Sequence, residues 1–317
     1  MSAVDGSGAG GVGRVDLSDF ELGSPATRDD FCAEFGRSLI DTGFVKVSGH
    51  GVDPELLRRA YAVSERVFAL PEAVKEQYDR SDLHGARGFI PFGREQAKDS
   101  SVIDMKEFWH IGRATGGRFD NVWPTEVPEF ESVMGELFDR MELVSQTLLE
   151  GLALYLDLER RHLADLVVDA DPLLRVLHYP PLGARHVPDA VRAAAHEDIN
   201  FITLLPAATD AGLELRDRSG NWSSVDGGDG ELVVDSGDML SRYLNGRIPA
   251  TTHRVVNPDD SQAERYSMPF FCQPRRDVLL VPPAELLEPG EVLLDEPITA
   301  GEFHQQRMDQ IRAKRPG

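Results

Sequence analysis

Apolar residues recur at helical spacing in several stretches of the chain. Residues 28–42 and 54–70 carry them three or four positions apart, and a longer stripe runs from Phe130 to Leu152. This spacing places apolar side chains on one face of an amphipathic helix. The pattern therefore predicts three helices whose apolar faces pack into a core, and it predicts a last helix near the end of the chain.

The second half of the chain changes to short β-branched and aromatic runs, which are typical of strands. Examples separated by glycine- and serine-containing turns are 199–205, 212–215, 222–225 and 231–235, the last of them followed by a turn at 236–238. Many short strands in succession favour a sheet that folds over on itself. We therefore predict an α+β fold with a mainly β core, a double-stranded β-helix (jelly roll) buttressed by N-terminal and central helices.

The chain is long enough to form one domain with a substantial core. It has 317 residues, and its sequence contains no strong linker. We predict a disordered, glycine-rich tail over 1–13 and a single unit over 14–317. Four parts are expected within that unit: an N-terminal region (14–130), a long helix (131–160), the jelly-roll core (170–282) and a C-terminal helix (300–313).

Charge and composition narrow the class of partner. The chain has 33 basic and 54 acidic residues, a formal net charge of −21, which disfavours nucleic acid and anionic membranes as partners. It has no run of about 18 apolar residues, so no membrane span is predicted. The two cysteines, Cys32 and Cys272, suit a reducing cytoplasmic setting. We expect a cytoplasmic protein whose partner is a small molecule, and the sequence leaves the oligomeric state open.

Two histidines and an aspartate in the strand-rich region form a candidate metal site. His196 and Asp198 are two positions apart, so on a strand both side chains would point to one face. His253 follows on a later strand. A lone histidine is more often a structural residue than a ligand. Two imidazoles and one carboxylate together suit a ferrous ion, because they leave positions open for substrate and oxygen.

An arginine and a serine follow the second histidine at strand spacing. Arg265 offers a fork of donors that matches a carboxylate, and Ser267 would lie on the same face. Together with the metal candidates, this pair suggests an oxygen-activating iron enzyme that also binds a small organic acid.

Further motifs are shared with a known family. They lie at 41–52, 68–71, 87–89, 104–113 and 245–256. With the candidate ligands, they resemble the isopenicillin N synthase-like branch of the Fe(II)/2-oxoglutarate-dependent dioxygenase superfamily, and the likeness covers nearly the whole chain. The resemblance implies that His196, Asp198 and His253 bind iron.

The same resemblance implies a site for 2-oxoglutarate. It assigns the far carboxylate of this co-substrate to Arg265 and Ser267. The segment 177–180 (LHYP) resembles the family's Asn-Tyr-Tyr-Pro segment, which places Tyr179 beside the co-substrate. Leu177 departs from the asparagine that is usual in plant members, so any contact from that position is lost.

The resemblance also implies a reaction. Fe(II), 2-oxoglutarate and O2 would support hydroxylation, desaturation or ring closure of a small polar metabolite. We expect a metabolite derived from an amino acid or a peptide, in a specialised (secondary) pathway. Asp198 argues against halogenation, because halogenating relatives carry a small residue there.

Substrate contacts are expected from the segment 85–113, which lines the mouth of the site in relatives. Its basic side chains could bind a substrate carboxylate, and an aromatic residue after the second ligand could face the pocket: Arg87, Arg94, Lys106, His110 and Phe201. Long basic side chains are usually solvated, and a strand phenylalanine is at least as often part of the core.

Three alternatives stay open on the sequence. An oxidase of the isopenicillin N synthase type uses the same iron site without 2-oxoglutarate, and there the arginine and serine meet the substrate carboxylate. An ethylene-forming reaction on 2-oxoglutarate itself is the second. The third is a barrel that holds a ligand without turnover.

Overall fold

The structure is a computed structural model that describes residues 11–94, 104–181, 191–225, 227–257 and 264–313. Within these residues the α-helices are α1 (Leu17–Glu21), α2 (Pro25–Thr42), α3 (Pro54–Phe68), α4 (Glu72–Lys75), α5 (Glu129–Tyr155), α6 (His162–Asp165), α7 (Asp238–Tyr243) and α8 (Ala300–Ala313).

The same residues contain the strands β1 (Gly13–Asp16), β2 (Phe44–Ser48), β3 (Gly88–Ile90), β4 (Glu107–Ile111), β5 (Leu173–Tyr179), β6 (Ala193–His196), β7 (Ile202–Pro206), β8 (Leu213–Arg216), β9 (Trp222–Ser224), β10 (Leu232–Ser236), β11 (His253–Val255), β12 (Arg265–Ser267) and β13 (Phe270–Cys272).

Local signals explain where the long N-terminal helix begins and ends. Ser24 caps α2 by accepting a hydrogen bond from the backbone of Thr27, and Pro25 supplies a fixed φ at the first helical position. Gly43 ends the helix in the left-handed region, with φ of 71°. Strand β2 starts directly afterwards, so this glycine sets the angle at which the helix meets the sheet.

The strands form two sheets. The major sheet has the order β1-β2-β10-β7-β13-β5-β4-β3, with β12 also paired to β5. The minor sheet has the order β6-β11-β8-β9. Among the described strands, all pairs are antiparallel except β1 with β2. In both strand orders many neighbours are not consecutive in sequence, as a double-stranded β-helix requires.

Helix α5 joins the helical layer to the major sheet. It packs against α2, α3 and strand β13. Phe138 of α5 meets Phe270 of β13 edge to face, with ring centroids 5.2 Å apart. Gly36 of α2 lies so close to the ring of Tyr155 that a β-carbon there would overlap it. These contacts hold the major sheet rigidly against the helices that buttress it.

Two local expectations from the sequence are wrong. The strand predicted over 199–205 begins only at Ile202, and β6 ends at His196, so Asp198 lies in the bend between two strands. Where a turn was expected at 236–238, Ser236 instead ends β10 and Asp238 begins α7. Backbone N–H groups of Gly237 and Asp238 donate to the carbonyls of Phe201 and Asp198, at 2.9 and 2.7 Å. This helix start therefore holds the bend that carries Asp198.

Other differences are smaller. Strand β1 already begins at Gly13, the last residue of the predicted tail, and residues 1–10 lie outside the described residues. Within the described ranges no helix is long and apolar enough to cross a membrane.

Candidate active site

A cavity opens between the two sheets, and its wall contains the predicted metal and co-substrate residues. The minor sheet contributes His196 and His253, whereas the major sheet contributes Tyr179, Arg265 and Ser267. The ring of the β2 phenylalanine packs edge to face on the ring of His253, with centroids 5.8 Å apart. Residues far apart in sequence thus meet in one space.

The minor sheet brings the two histidines together. His196 ends β6, His253 begins β11, and they are directly opposite in the antiparallel register. Their rings lie 4.5 Å apart, centroid to centroid. Asp198 Oδ1 lies 3.6 Å from Nε2 of His196 and 3.7 Å from Nε2 of His253. One atom from each residue lies within 4.8 Å of the other two, which is close enough for a single ion.

A backbone carbonyl fixes the orientation of each histidine. Nδ1 of His196 lies 2.7 Å from the carbonyl oxygen of Ala194, and Nδ1 of His253 lies 3.2 Å from that of Thr251. Because a carbonyl only accepts, Nδ1 carries the proton in both rings. Nε2 is then the lone-pair nitrogen in both, and it faces Asp198.

A hydroxyl fixes the carboxylate. Thr203 of β7 donates from Oγ1 to Oδ2 of Asp198, and the side-chain amide of Asn200 donates to Thr203 Oγ1 at 2.8 Å. Asp198 is buried, with 8% of its surface exposed. The hydrogen bond on Oδ2 turns Oδ1 toward the histidines.

The electrostatics of the cluster reflect several buried charges at short range. Burial lowers the pKa of His196, and the neighbouring His253 lowers it further. Burial alone would also lower the pKa of His253, but the carboxylates of Asp198 and Asp235 outweigh it and raise that pKa. Burial, and then the charge of Asp198, raise the pKa of Asp235 to about 8. Two carboxyl groups so close together in a buried space favour the binding of a positive charge.

The donor set fits a divalent transition metal. Two imidazole nitrogens and one carboxylate oxygen converge, and each is held by its own hydrogen bond. Oδ2 of Asp235 is buried, lies 3.9 Å from Nδ1 of His253 and has no hydrogen-bond partner within the described part of the chain. A cation at the cluster would favour the ionised form of this carboxyl group.

The predicted co-substrate residues occupy one end of the cavity. In the pairing of β5 with β12, Tyr179 is opposite Arg265, and Leu177 is opposite Ser267. All four line the cavity and are buried. The guanidinium of Arg265 lies 5.1 Å from the centroid of the Tyr179 ring. Donors for a carboxylate are thus gathered on two adjacent strands.

Arg265 is anchored by a hydrogen bond from Nε, which leaves Nη1 able to donate to a ligand. Its Nε donates to the backbone carbonyl of Asp210 at 3.0 Å. The side chain of Asp210 is in turn paired with the fully buried Arg192, Nη1 to Oδ2 at 3.1 Å. Nη1 of Arg265 is buried and has no hydrogen-bond partner among the described residues. A buried donor of this kind is costly unless a ligand oxygen meets it, so the site fits a carboxylate such as that of 2-oxoglutarate.

The predicted substrate residues are placed less uniformly. Lys106 lines the cavity, with Nζ 2.9 Å from Oδ2 of Asp104. The structure does not bring Arg87 or Arg94 to the cavity. Arg87 is buried, with Nη2 2.6 Å from Oδ1 of Asp171. Its guanidinium lies directly against Gly112, where a β-carbon would overlap it.

Three of the expected substrate residues lie off the cavity wall. Arg94 is exposed, 3.4 Å from the carboxylate of Asp79. Phe201 is fully buried and packs on the Tyr243 ring at 5.6 Å, so it belongs to the core. His110 does not line the cavity, but its Nε2 lies 2.8 Å from Nε of Arg175, which does.

Sequence reasoning missed several residues of the cavity wall, namely Arg175, Phe271, Thr203 and Asp235. A signal existed for Arg175, which precedes Tyr179 by four positions and so shares its face of β5. A signal existed also for Asp235, a carboxylate directly after three apolar residues of a strand. Thr203 is an ordinary strand residue in sequence, and nothing there marks it.

Two family models match the chain. The one described as 2OG-Fe(II) oxygenase superfamily matches residues 170–274. The one described as non-haem dioxygenase in morphine synthesis N-terminal matches residues 14–126. The first range contains the candidate metal and co-substrate residues.

Whole-chain relatives agree with these matches. A 2-oxoglutarate-Fe(II) type oxidoreductase of Metarhizium rileyi is 31% identical over 94% of this chain and 90% of its own length. A solved structure from Caulobacter crescentus, assigned to the 2OG-Fe(II) oxygenase family, is 39% identical, with TM-score 0.83 over 95% of this chain and 99% of that one. A full-length Neurospora crassa protein, solved in complex with alpha-KG, is 26% identical, with TM-score 0.86 over 93% of this chain and 95% of that one. The predicted fold class is therefore confirmed.

Proposed function

The chain belongs to the 2OG-Fe(II) oxygenase superfamily and is a 2-oxoglutarate-dependent Fe(II) dioxygenase, and we propose that it oxidises a small polar metabolite derived from an amino acid or a peptide. Its cofactors are Fe(II), the co-substrate 2-oxoglutarate and O2. The matches to 2-oxoglutarate-dependent relatives set aside the oxidase that works without 2-oxoglutarate and the barrel without turnover.

We assign the iron to His196, Asp198 and His253. The observation that carries this assignment is the convergence of their three ligand atoms within 4.8 Å, in the cavity that also contains the unpartnered Nη1 of Arg265. Three protein ligands leave open positions on an octahedral ion. The full carboxylate at Asp198 supports oxidation over halogenation.

We assign the far carboxylate of 2-oxoglutarate to Arg265, Ser267 and Tyr179. Arg265 supplies a charge-assisted hydrogen bond, and the two hydroxyls lie on the facing strands. Bound iron, 2-oxoglutarate and O2 supply the oxidising power that breaks a C–H bond of the substrate, with release of succinate and CO2. The protein contributes the orientation of the reactants and a largely buried space from which water is displaced.

The wall of the cavity supports a small polar substrate. Arg175 and Lys106 provide positive charge, whereas Leu177, Pro269 and Phe271 provide apolar surface. A charged group attached to a short apolar body matches this mixture, and amino acids and small peptides have that composition. We propose hydroxylation, desaturation or ring closure as the outcome.

The test is an anaerobic titration with ferrous ion and then 2-oxoglutarate, followed by visible absorption. Wild-type protein should bind one equivalent of iron and develop the weak charge-transfer band of the ternary complex. His253→Ala should lose iron binding. Arg265→Gln should keep iron binding but need about 10- to 100-fold more 2-oxoglutarate for the band, the range expected for a lost charged hydrogen bond.

The matched control is Arg59→Gln, which removes an exposed arginine paired with Glu136 at 3.0 Å. It should behave like the wild type. A band that forms equally well in Arg265→Gln would contradict the co-substrate assignment. Iron binding that survives in His253→Ala would contradict the metal assignment.

A further inference from the structure

The cavity wall contains a second arginine, two positions along β5 from the Leu177–Ser267 pair. Arg175 lies on β5 and lines the cavity together with Leu177 and Tyr179. These three residues alternate along the strand, so their side chains share one face. Arg175 and Tyr179 are four positions apart, which corresponds to about 13 Å along the strand. One wall of the cavity thus has Tyr179 at one end and Arg175 at the other.

We propose that Arg175 anchors a carboxylate of the substrate. This inference rests on the proposed function and names the recognition chemistry of the same site. The far carboxylate of 2-oxoglutarate is assigned to the Tyr179 end, and its carbon chain is shorter than this wall. Arg175 lies beyond the reach of that carboxylate and lines the same cavity, where the molecule that is oxidised would bind.

The guanidinium of Arg175 is oriented in advance. Its Nε donates to Nε2 of His110 at 2.8 Å, and Nδ1 of His110 faces the carbonyl oxygen of Gly85 at 2.7 Å. His110 is thus held as the neutral tautomer with an accepting Nε2. The guanidinium also lies 4.5 Å from the ring centroid of Phe108 and 5.3 Å from that of Phe271. A guanidinium fixed in this way loses little freedom when it binds a carboxylate.

The neighbours of Arg175 define the rest of the ligand. Pro269 and Phe271 line the cavity beside it, and the backbone N–H of Arg175 donates to the carbonyl of Pro269 at 2.9 Å. An anionic group on Arg175 would therefore continue into an apolar or aromatic body. The substrate class that fits is a small carboxylic acid with an apolar side chain, such as an N-acylated amino acid.

In this arrangement His110 is a positioning residue. It does not line the cavity, and it acts through the Nε of Arg175. A glutamine side chain at position 110 can still accept that hydrogen bond through its amide oxygen, whereas a phenylalanine side chain cannot. The two substitutions therefore separate the hydrogen bond from the bulk of the side chain.

The test compares acids with their own amides. N-acetyl amino acids and the corresponding N-acetyl amino acid amides are added to the anaerobic Fe(II)–2-oxoglutarate complex, and the change in its charge-transfer band is recorded. At least one acid should bind about 10-fold or more tightly than its amide. Arg175→Gln should reduce that ratio to about one, while Arg175→Lys should keep part of it. The affinity for 2-oxoglutarate should not change in either variant.

Two comparisons complete the test. In succinate-release assays with the bound acid, His110→Phe should raise KM for the acid with little change in kcat. His110→Gln, which keeps the hydrogen bond, should have a KM near that of the wild type. Arg59→Gln should match the wild type throughout. Thermal unfolding of each variant shows whether it is folded, and Arg175→Lys preserves the positive charge if Arg175→Gln fails to fold.

The inference is overturned if no acid binds better than its amide, or if the acid–amide ratio survives in Arg175→Gln. Either result with a normal charge-transfer band leaves the proposed function intact. Absence of the band in wild-type protein would instead contradict the proposed function itself.

Discussion

One hydroxyl holds the carboxylate among the three assigned metal ligands. Thr203 Oγ1 donates to Oδ2 of Asp198 and accepts from the amide of Asn200. The two histidines take their orientation from backbone carbonyls, which no side-chain substitution removes. At the residue scale, Thr203 is therefore the position where the geometry of the ligand set can be changed without touching a ligand.

Thr203→Val should weaken ferrous-ion binding by about 10- to 100-fold, because a freed carboxylate must be ordered again when the metal binds. Valine has nearly the shape of threonine, so the fold should be preserved. The measurement is the dissociation constant for Fe(II) under anaerobic conditions.

Thr203→Ser keeps the hydroxyl and should bind iron within a few-fold of the wild type. Thr147→Val, at a half-buried position on α5, is the matched control. An unchanged affinity in Thr203→Val would show that the hydrogen bond does not orient the ligand.

The site was only partly predictable at this scale. His196, Asp198 and His253 could be found because their chemistry is rare enough in combination to stand out. Arg175 was missed although it shares a strand face with Tyr179, since a cation in a strand is usually a solvated edge residue. The arginine at position 87 lies off the cavity wall for a physical reason, since its pairing with an aspartate depends on contacts between distant segments.

At the element scale, a buried charge cluster ties β4 to β5 and to the helix before them. Lys75 Nζ lies 2.7 Å from a carboxylate oxygen of Glu107, and Nδ1 of His178 lies 2.7 Å from the other. Nε2 of His178 lies 2.7 Å from Glu264, which precedes β12. His178 is next to Tyr179, so the cluster supports the strands that carry the co-substrate residues from behind.

Glu107→Gln should lower the free energy of unfolding by about 3–5 kcal/mol at pH 7, because the buried ammonium of Lys75 loses its counter-charge. Burial alone would raise the pKa of Glu107, but the hydrogen bonds and charges of His178 and Lys75 outweigh it and lower that pKa. Since the folded state favours the ionised form, this stabilisation is complete above the ordinary glutamate pKa of 4.5 and is lost as the pH falls below it.

Denaturant unfolding of both proteins between pH 7 and pH 4 measures this effect. The difference between wild type and Glu107→Gln should be constant at the upper end and shrink below about pH 4.5. Glu136→Gln, which breaks the exposed pair with Arg59, should change the free energy by less than about 1 kcal/mol at any pH. A difference that does not vary with pH would mean that ionisation of Glu107 contributes nothing.

Helices were easier to predict than strands. The apolar stripes of α2 and α3 lie within the helices, and the capping residues Ser24 and Asp53 directly precede them. The bend at Asp198 is instead formed by backbone bonds to the start of α7, a distant part of the sequence. The β-branched and aromatic residues after Asp198 therefore indicated a strand at a point where the chain turns.

At the scale of the whole molecule, the site exists only where the two sheets face each other. The residues assigned to the metal are on the minor sheet and its following bend, and those assigned to the co-substrate are on the major sheet. The sequence indicated the jelly roll and the order of these residues along it. It could not indicate which basic side chains reach the cavity, because that depends on how the strands are paired and how the sheets are oriented.

Because the assigned sites for the metal and the co-substrate combine strands from both sheets, each ligand should stabilise the protein separately. Neither assigned site exists in the unfolded chain, so a ligand at about 100 times its dissociation constant should add about 2.7 kcal/mol to the free energy of unfolding. Anaerobic thermal unfolding should show one rise in Tm with Fe(II) and a second with 2-oxoglutarate.

Arg265→Gln should keep the first rise and lose most of the second at the same concentration. His253→Ala should lose both, since 2-oxoglutarate would also bind through the iron. If 2-oxoglutarate stabilised Arg265→Gln as much as the wild type, the co-substrate would bind elsewhere than between β5 and β12.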